Sequence, residues 1–319
     1  MKKALIASIL VSGMWGVAAP LMPAIAQSTP TVEPPAATSI PAKLEVIDAG
    51  VEPRRELRFR PVANSRQTMT LTMGMSMQMT MGETPLPKTP IPKMVLKIDA
   101  IVTQVDPSGD IHCSFTYSDV RAIADRDTPP AMLAAIQKSL KGIQGIKMDL
   151  VTSSTGQIRS KNLILPKNID PALEQTLSQF ERSIEQLSTQ FPDEMLGVGA
   201  KWQKQNALNI GGIQLNQSVT YEVVKIDATG MTIKTTVAQS SPPQDLPLPA
   251  GAEKDIKAKL NSLISSGEGE AVMLFNSLLP VSGKSATTTD SQTTVQMSPG
   301  DPQTNMSTKI SIDLNISSN

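Results

Sequence analysis

Hydrophobic and polar residues alternate along several segments of this chain, most regularly between residues 69 and 81. The odd positions there carry Met or Leu, and the even positions carry Thr, Gly, Ser or Gln. A period of two predicts a β-strand with one buried face. A helix would spread the same apolar side chains around its circumference, so the pattern argues against a helix.

The apolar face of this strand is unusual because it consists mostly of Met, where β-branched and aromatic side chains are the usual choice. Three interpretations are open: a core filled by flexible thioethers, the wall of an apolar cavity, or a Cu(I) site. On the second interpretation, the candidate ligand-binding residues are Met73, Met75, Met77 and Met79. Residues two apart on a strand lie about 6–7 Å apart, too far to share one ion without a bend. Since the strand also carries no His or Cys, we predict no metal site and no cofactor.

The order of predicted elements occurs twice. Alternating strands flank an Asp-x-x-Gly turn at residues 106–109, and a second pair flanks the same turn at 227–230. Apolar residues at helical spacing follow a Pro-containing loop in both copies. They are Met132, Ile136, Leu140 and Ile143 in the first copy, and Ile256, Leu260 and Leu263 in the second. We therefore predict a duplicated unit with one helix in each copy.

An amphipathic helix is predicted between the copies. Asp170 is a suitable N-cap, Pro171 occupies the first turn and Pro192 ends the segment. Its apolar stripe recurs every three or four residues. The stripe consists of Leu173, Leu177, Phe180, Ile184, Leu187 and Phe191. A linking helix packed on the sheet, a lid over a cavity and a dimer seam are the alternatives.

Together these patterns predict an α+β fold of two pseudo-repeated, curved, half-barrel-like antiparallel sheets, each with a packed helix, joined by the amphipathic helix. The predicted boundaries are a signal peptide at 1–26, a Pro-rich disordered tether at 27–60, a first repeat at 61–168, a connecting helix at 169–192 and a second repeat at 193–319. Within the tether, 44–47 and 57–59 are candidates for short docked strands.

The N-terminus predicts export to the periplasm or the extracellular space. Lys2 and Lys3 precede an apolar stretch at 4–19, and Ala24-Ile25-Ala26 offers small residues where signal peptidase reads. An uncleaved membrane anchor is the alternative, but the apolar run is shorter than the roughly 20 residues that a span needs. We expect no transmembrane segment in the mature chain.

Composition argues against several classes of function. Cleavage would remove two of the 29 basic residues and none of the 29 acidic residues, leaving a net charge near −2. A nucleic-acid partner needs a basic footprint, so none is expected. The single Cys113 excludes an internal disulfide, and its alternation with Ile111 and Phe115 predicts a buried side chain.

No motif for nucleophilic, nucleotide-dependent or zinc-dependent catalysis is present, and we predict no catalytic residues and no enzyme activity. His112 is the only histidine in the chain. As neighbours on a strand, His112 and Cys113 point to opposite faces and cannot form a catalytic pair. A hydrolase built from two carboxylates on distant strands is the enzyme class left open.

The element Pro192-x-x-x-x-Gly197-x-Gly199-x-x-Trp202 resembles one found in uncharacterised exported bacterial proteins that contain a duplicated β-rich domain. The general layout is also similar to half-barrel lipid carriers of the bacterial envelope, at the level of fold alone. The resemblance implies no catalytic residue. We predict a non-enzymatic binding protein for a lipid or another apolar ligand. The alternative is a structural or interaction module with a dry core and an envelope protein as partner.

Overall fold

One antiparallel sheet of 14 strands forms most of the protein. The computed structural model describes residues 43–88, 90–125, 128–165, 189–210, 212–247 and 256–319. The predicted signal peptide lies outside these ranges, as does the predicted connecting helix up to residue 188. The predictions for those segments therefore stay predictions.

The described residues of the first half form eight strands and one α-helix. In chain order they are β1 (Lys43–Asp48), β2 (Val51–Arg55), β3 (Arg66–Met81), β4 (Thr84–Pro85), β5 (Lys93–Val105), β6 (Ile111–Ile123), α1 (Pro130–Lys141), β7 (Lys147–Thr152) and β8 (Ile158–Ile164). The alternation in β3 has the predicted period. Its odd residues from Met69 to Met73 pair with the apolar even residues of β5.

Eight further strands lie in the described part of the second half. They are β9 (Leu196–Val198), β10 (Lys201–Ile210), β11 (Ile213–Ile226), β12 (Gly230–Ser241), β13 (Gln244–Asp245), β14 (Lys257–Leu274), β15 (Ser282–Gln296) and β16 (Thr304–Ser318). The main path of the sheet is β1-β10-β11-β12-β14-β15-β16-β3-β5-β6-β7-β8. The last strand of the chain thus pairs with β3 and joins the two halves into one sheet.

The sheet curves until its two ends share a core. Val102 on β5 and Ile111 on β6 belong to the same buried cluster as Tyr221 on β11 and Met273 on β14. These strands lie far apart along the sheet order, so the shared cluster requires the sheet to bend around it. We call the side of the sheet that carries this cluster the inner face.

Helix α1 packs on the inner face of the first half. It begins after Pro129, with Pro130 at the first helical position, and Leu140 is its buried residue. Leu140 packs in a cluster with Met73, Met94 and Leu96. Within the described ranges, no helix combines the length and the apolar character needed to cross a membrane.

The predicted α+β fold, with a helix packed on each of two sheets, is wrong. The protein is mostly β, with one large sheet, and α1 is the one helix in the described residues. Leu260 and Leu263, predicted to be helical, lie on β14. A β-bulge at Asn261 shifts the register between Leu260 and Ser262. Strand alternation plus this one extra residue puts Leu260 and Leu263 on the same face and so imitates helical spacing.

The described part of the predicted tether, residues 43–60, packs against the second half. β1 pairs with β10, and β2 pairs with β9 in a separate two-stranded sheet. Phe59 is buried against Phe191, with ring centroids 4.8 Å apart. Phe191 meets the edge of Trp202 at 6.2 Å, and Trp202 stacks on Tyr221 at 5.1 Å. A chain of four aromatic rings therefore closes one end of the curved sheet.

The two Asp-x-x-Gly turns join β5 to β6 and β11 to β12. In the second turn, hydrogen bonds lower the pKa of the Asp227 carboxyl group. Asp227 Oδ1 accepts hydrogen bonds from the Thr229 hydroxyl (2.7 Å), the Thr229 N–H (2.9 Å) and the Gly230 N–H (3.1 Å). These bonds, that from the hydroxyl first, lower the pKa of Asp227 to about 2.

We expect the stabilising effect of the Asp227 carboxylate to be present above about pH 4 and to be lost as the pH falls towards 2. The sign follows because the pKa in the folded state lies below the pKa in the unfolded state. An NMR titration of the side-chain carboxyl carbon measures this pKa. A midpoint near 4 in the folded protein would contradict the hydrogen-bonding scheme.

Candidate ligand-binding face

The inner face of seven neighbouring strands, from β10 to β3, is the candidate site. Its registers align residues in rows that cross the sheet from strand to strand. One such row runs Lys204, Val219, Val237, Gly267, Thr287, Ile312 and Met75, and the next runs Asn206, Gln217, Gln239, Ser265, Thr289, Ile310 and Met77. The inner face is therefore more polar towards β10 and apolar towards β3.

All four Met residues predicted to bind a ligand lie on this face, but their environments differ. Met73 and Met79 are buried, and Met73 packs in the core under α1. Met75 and Met77 are only half-buried. The cross-strand neighbours of Met75 and Met77 are Ile312 and Ile310.

These four half-buried residues, Met75, Met77, Ile310 and Ile312, form what we call the Met–Ile patch. Across the sheet from it, β15 presents Thr287 and Ser285, which are also half-buried, and β14 presents Gly267 and Gly269. A Cβ on Gly267 would lie 2.5 Å from the Thr287 hydroxyl oxygen. The two glycines therefore make room for the Thr287 and Ser285 side chains, and the surface beside the patch is made of small side chains.

Charged side chains are nearly absent from this surface. Among the inner-face residues that the structure describes on these seven strands, Lys204 is the only one that carries a charge. Burial lowers the pKa of Lys204 to about 8, because desolvation disfavours the ammonium form. Most charged residues of the same strands, such as Glu268 and Lys309, lie on the outer face.

A cavity of about 250 Å³ lies where the two ends of the sheet face each other. Its lining comes from both halves of the chain: Cys113, Phe115, Leu150 and Ile158 on one side, and Tyr221, Ile233, Ala271 and Met273 on the other. The lining is mainly apolar. The four Met residues predicted to bind a ligand are not part of it; the sulfur-containing side chains that line it are Cys113 and Met273.

Cys113 lies buried in this lining, and its thiol is 3.5 Å from the carbonyl oxygen of Leu150. Burial, with a smaller contribution from Asp149, raises the pKa of the Cys113 thiol to about 12. At neutral pH the thiol is therefore protonated and a poor nucleophile.

We expect Cys113 to resist a bulky thiol reagent in the native protein and to react after denaturation. Labelling with a maleimide, followed by intact mass analysis with and without guanidinium, measures the difference. Complete modification of the native protein within the time that the denatured chain needs would contradict the buried position.

His112 lies beside this lining in sequence but takes part in a different contact. Its Nε2 atom is 2.8 Å from Oδ2 of Asp106, and this hydrogen bond is the main cause that lowers the pKa of Asp106. In the described residues, no group of three or more His, Cys, Asp or Glu side chains is arranged to hold a metal ion.

Sequence reasoning identified the Met strand but missed the polar row next to it. Asn206, Gln217 and Gln239 lie on the adjacent strands β10, β11 and β12, each in phase with the inward-facing residues of its strand. This phase was the available signal. The strand order that brings them side by side was not visible in the sequence.

The Pro192–Trp202 element has a structural role here, since Trp202 is fully buried and its Nε1–H donates to the carbonyl oxygen of Gln190 at 3.1 Å. Its resemblance to exported proteins with a duplicated domain stays a prediction. No protein-family model and no curated protein matches the chain.

Proposed function

We propose that this is an exported, non-enzymatic binding protein that holds an apolar ligand, such as a lipid, on its inner face. The observation that carries the proposal is the Met–Ile patch: four large apolar side chains on adjacent strands that stay half-buried on a nearly uncharged, inward-curving surface. An ordinary core would bury them fully. Unbranched thioethers adapt to ligands of varied shape, which suits a lipid chain.

The cavity of about 250 Å³ supports the same proposal. Its lining is mainly apolar, as in sites that accept apolar molecules. The alternative, a structural module with a dry core, makes the opposite prediction, because it leaves no room on the inner face for an apolar probe.

The test compares two glutamates introduced at adjacent positions of β3 that face opposite sides. We expect wild type to bind the apolar fluorophore 1-N-phenylnaphthylamine and Met77→Glu to weaken that binding at least about tenfold, since a charge would enter an apolar site. Gln78→Glu, on the exposed outer face, is the matched control and should bind as wild type does. Met77→Leu should also keep binding, because volume is conserved.

Fluorescence titration and thermal melting on the four proteins separate the outcomes. Wild type that binds no fluorophore would contradict the proposed function. Loss of binding in Met77→Glu without loss of the folding transition supports a ligand surface. If Met77→Glu abolishes the folding transition while wild type binds no fluorophore, the dry-core alternative is favoured.

A further inference from the structure

A row of uncharged polar side chains crosses the inner face beside the Met–Ile patch. Its members are directly paired from strand to strand and all are buried. They are Asn206, Gln217, Gln239, Ser265 and Thr289, and we call them the polar belt. The row continues without a break onto Ile310 and Met77. Polar and apolar groups therefore lie end to end along one line across the sheet.

On β10, β11 and β12, the inward-facing side-chain amides all lie at this level of the sheet. On β10 and β11, the row on one side carries the apolar pair Leu208 and Leu215, and on β11 and β12 the row on the other side carries Val219 and Val237. Burying a polar side chain costs free energy unless it is hydrogen-bonded, and apolar residues of similar size would suit a dry core better. Three buried amides at one level therefore call for a reason other than stability.

Two side chains of the polar belt, Ser265 and Thr289, form a hydrogen bond with each other, whereas Gln239 has an acceptor without a partner in the described residues. The Thr289 hydroxyl donates to the Ser265 hydroxyl at 2.9 Å. Gln239 is only 5% exposed, and within the described part of the chain its Oε1 atom has no hydrogen-bond partner. A buried amide oxygen in this position is an acceptor that lacks a donor.

We propose that the polar belt binds the uncharged, hydrogen-bond-donating head group of an amphiphile, a hydroxyl or an amide, whose apolar part lies on the Met–Ile patch. This inference rests on the proposed function and adds the class of head group. Because the available atom is an acceptor, a carboxylate or a fully ionised phosphate, which have no proton to donate, cannot satisfy it. Strands lie about 4.8 Å apart, so Gln239 and Met77, four strands apart, are separated by roughly 19 Å along the sheet, a span suited to an extended chain.

The test is displacement of bound 1-N-phenylnaphthylamine by two ligands that differ in one donor: 1-dodecanol and its methyl ether. One hydrogen bond corresponds to a difference in affinity of about three- to tenfold. Dodecanol should therefore displace the fluorophore from wild type at a concentration lower by that factor than the methyl ether needs. In Gln239→Leu, the preference should vanish while the fluorophore still binds. Gln78→Leu, on the exposed outer face, should keep the preference.

The outcomes distinguish this inference from the function on which it rests. If wild type binds the fluorophore but both ligands displace it at the same concentration, the head-group inference is overturned and the binding function stands. Displacement by laurate at a lower concentration than by dodecanol overturns it as well. Wild type that binds no fluorophore contradicts both. Thr289→Val is a second variant within the belt. The comparison of dodecanol with its methyl ether on wild type does not depend on the folding of any variant.

Discussion

Replacing Trp202 with alanine should lower the free energy of unfolding by about 3–5 kcal/mol, the usual cost of truncating a buried aromatic side chain. Trp202 is fully buried, stacks on Tyr221 and meets Phe191 edge-on. It connects β10 with the segment that contains Gln190 and Phe191. Its loss should therefore destabilise the closed end of the curved sheet as well as leave a cavity.

Urea unfolding followed by circular dichroism measures this effect. Trp202→Phe is the control, since it keeps an aromatic ring in the cluster and removes the hydrogen bond to the Gln190 carbonyl. It should cost clearly less than alanine does. Equal losses for the two variants, or a loss under about 1 kcal/mol for alanine, would show that the ring cluster is not the main support of this end.

Replacing Gly197 with alanine should destabilise the protein by at least about 1–3 kcal/mol, the range found for overpacked sites. A Cβ at Gly197 would overlap the carbonyl oxygen of Val51, on the neighbouring strand of the two-stranded sheet. Because the obstacle is backbone, no side-chain rotation can relieve the overlap. The pairing of β2 with β9 should open, and the N-terminal segment should become accessible.

Gly74→Ala is the matched control, because Gly74 also lies on a strand and has open space where its Cβ would be. We expect it to change stability little. Limited proteolysis should cut Gly197→Ala within residues 43–60 faster than it cuts Gly74→Ala. Equal cleavage rates and equal unfolding midpoints would contradict the close approach of the two backbones.

Local pattern was enough to predict the elements whose periodicity is unbroken. The alternation of β3, the Asp-x-x-Gly turns at 106–109 and 227–230, and helix α1 all follow from residues close together in sequence. The helix predicted around Leu260 failed because one bulged residue, Asn261, converted a period of two into an apparent helical spacing. A single-residue irregularity of this kind has no distinct sequence signal.

The features that the sequence did not reveal depend on pairing between distant residues. β16 pairs with β3 although more than 200 residues separate them, and this contact turns two predicted sheets into one. The polar belt likewise exists only once five strands are placed in register. Gln217 and Gln239 are in phase with the inward-facing Leu215 and Val237, so their inward position was readable, but the residues that lie beside them on the neighbouring strands were not.

The central claim is that the inner face holds an uncharged apolar ligand, and native mass spectrometry of the full chain tests it most directly. The protein should be extracted gently from the envelope of a bacterial host and measured without denaturation. We predict a species heavier than the bare chain by the mass of a neutral lipid, which Met77→Glu loses and Gln78→Glu retains. A spectrum that contains the bare mass of the wild-type chain alone would contradict the claim.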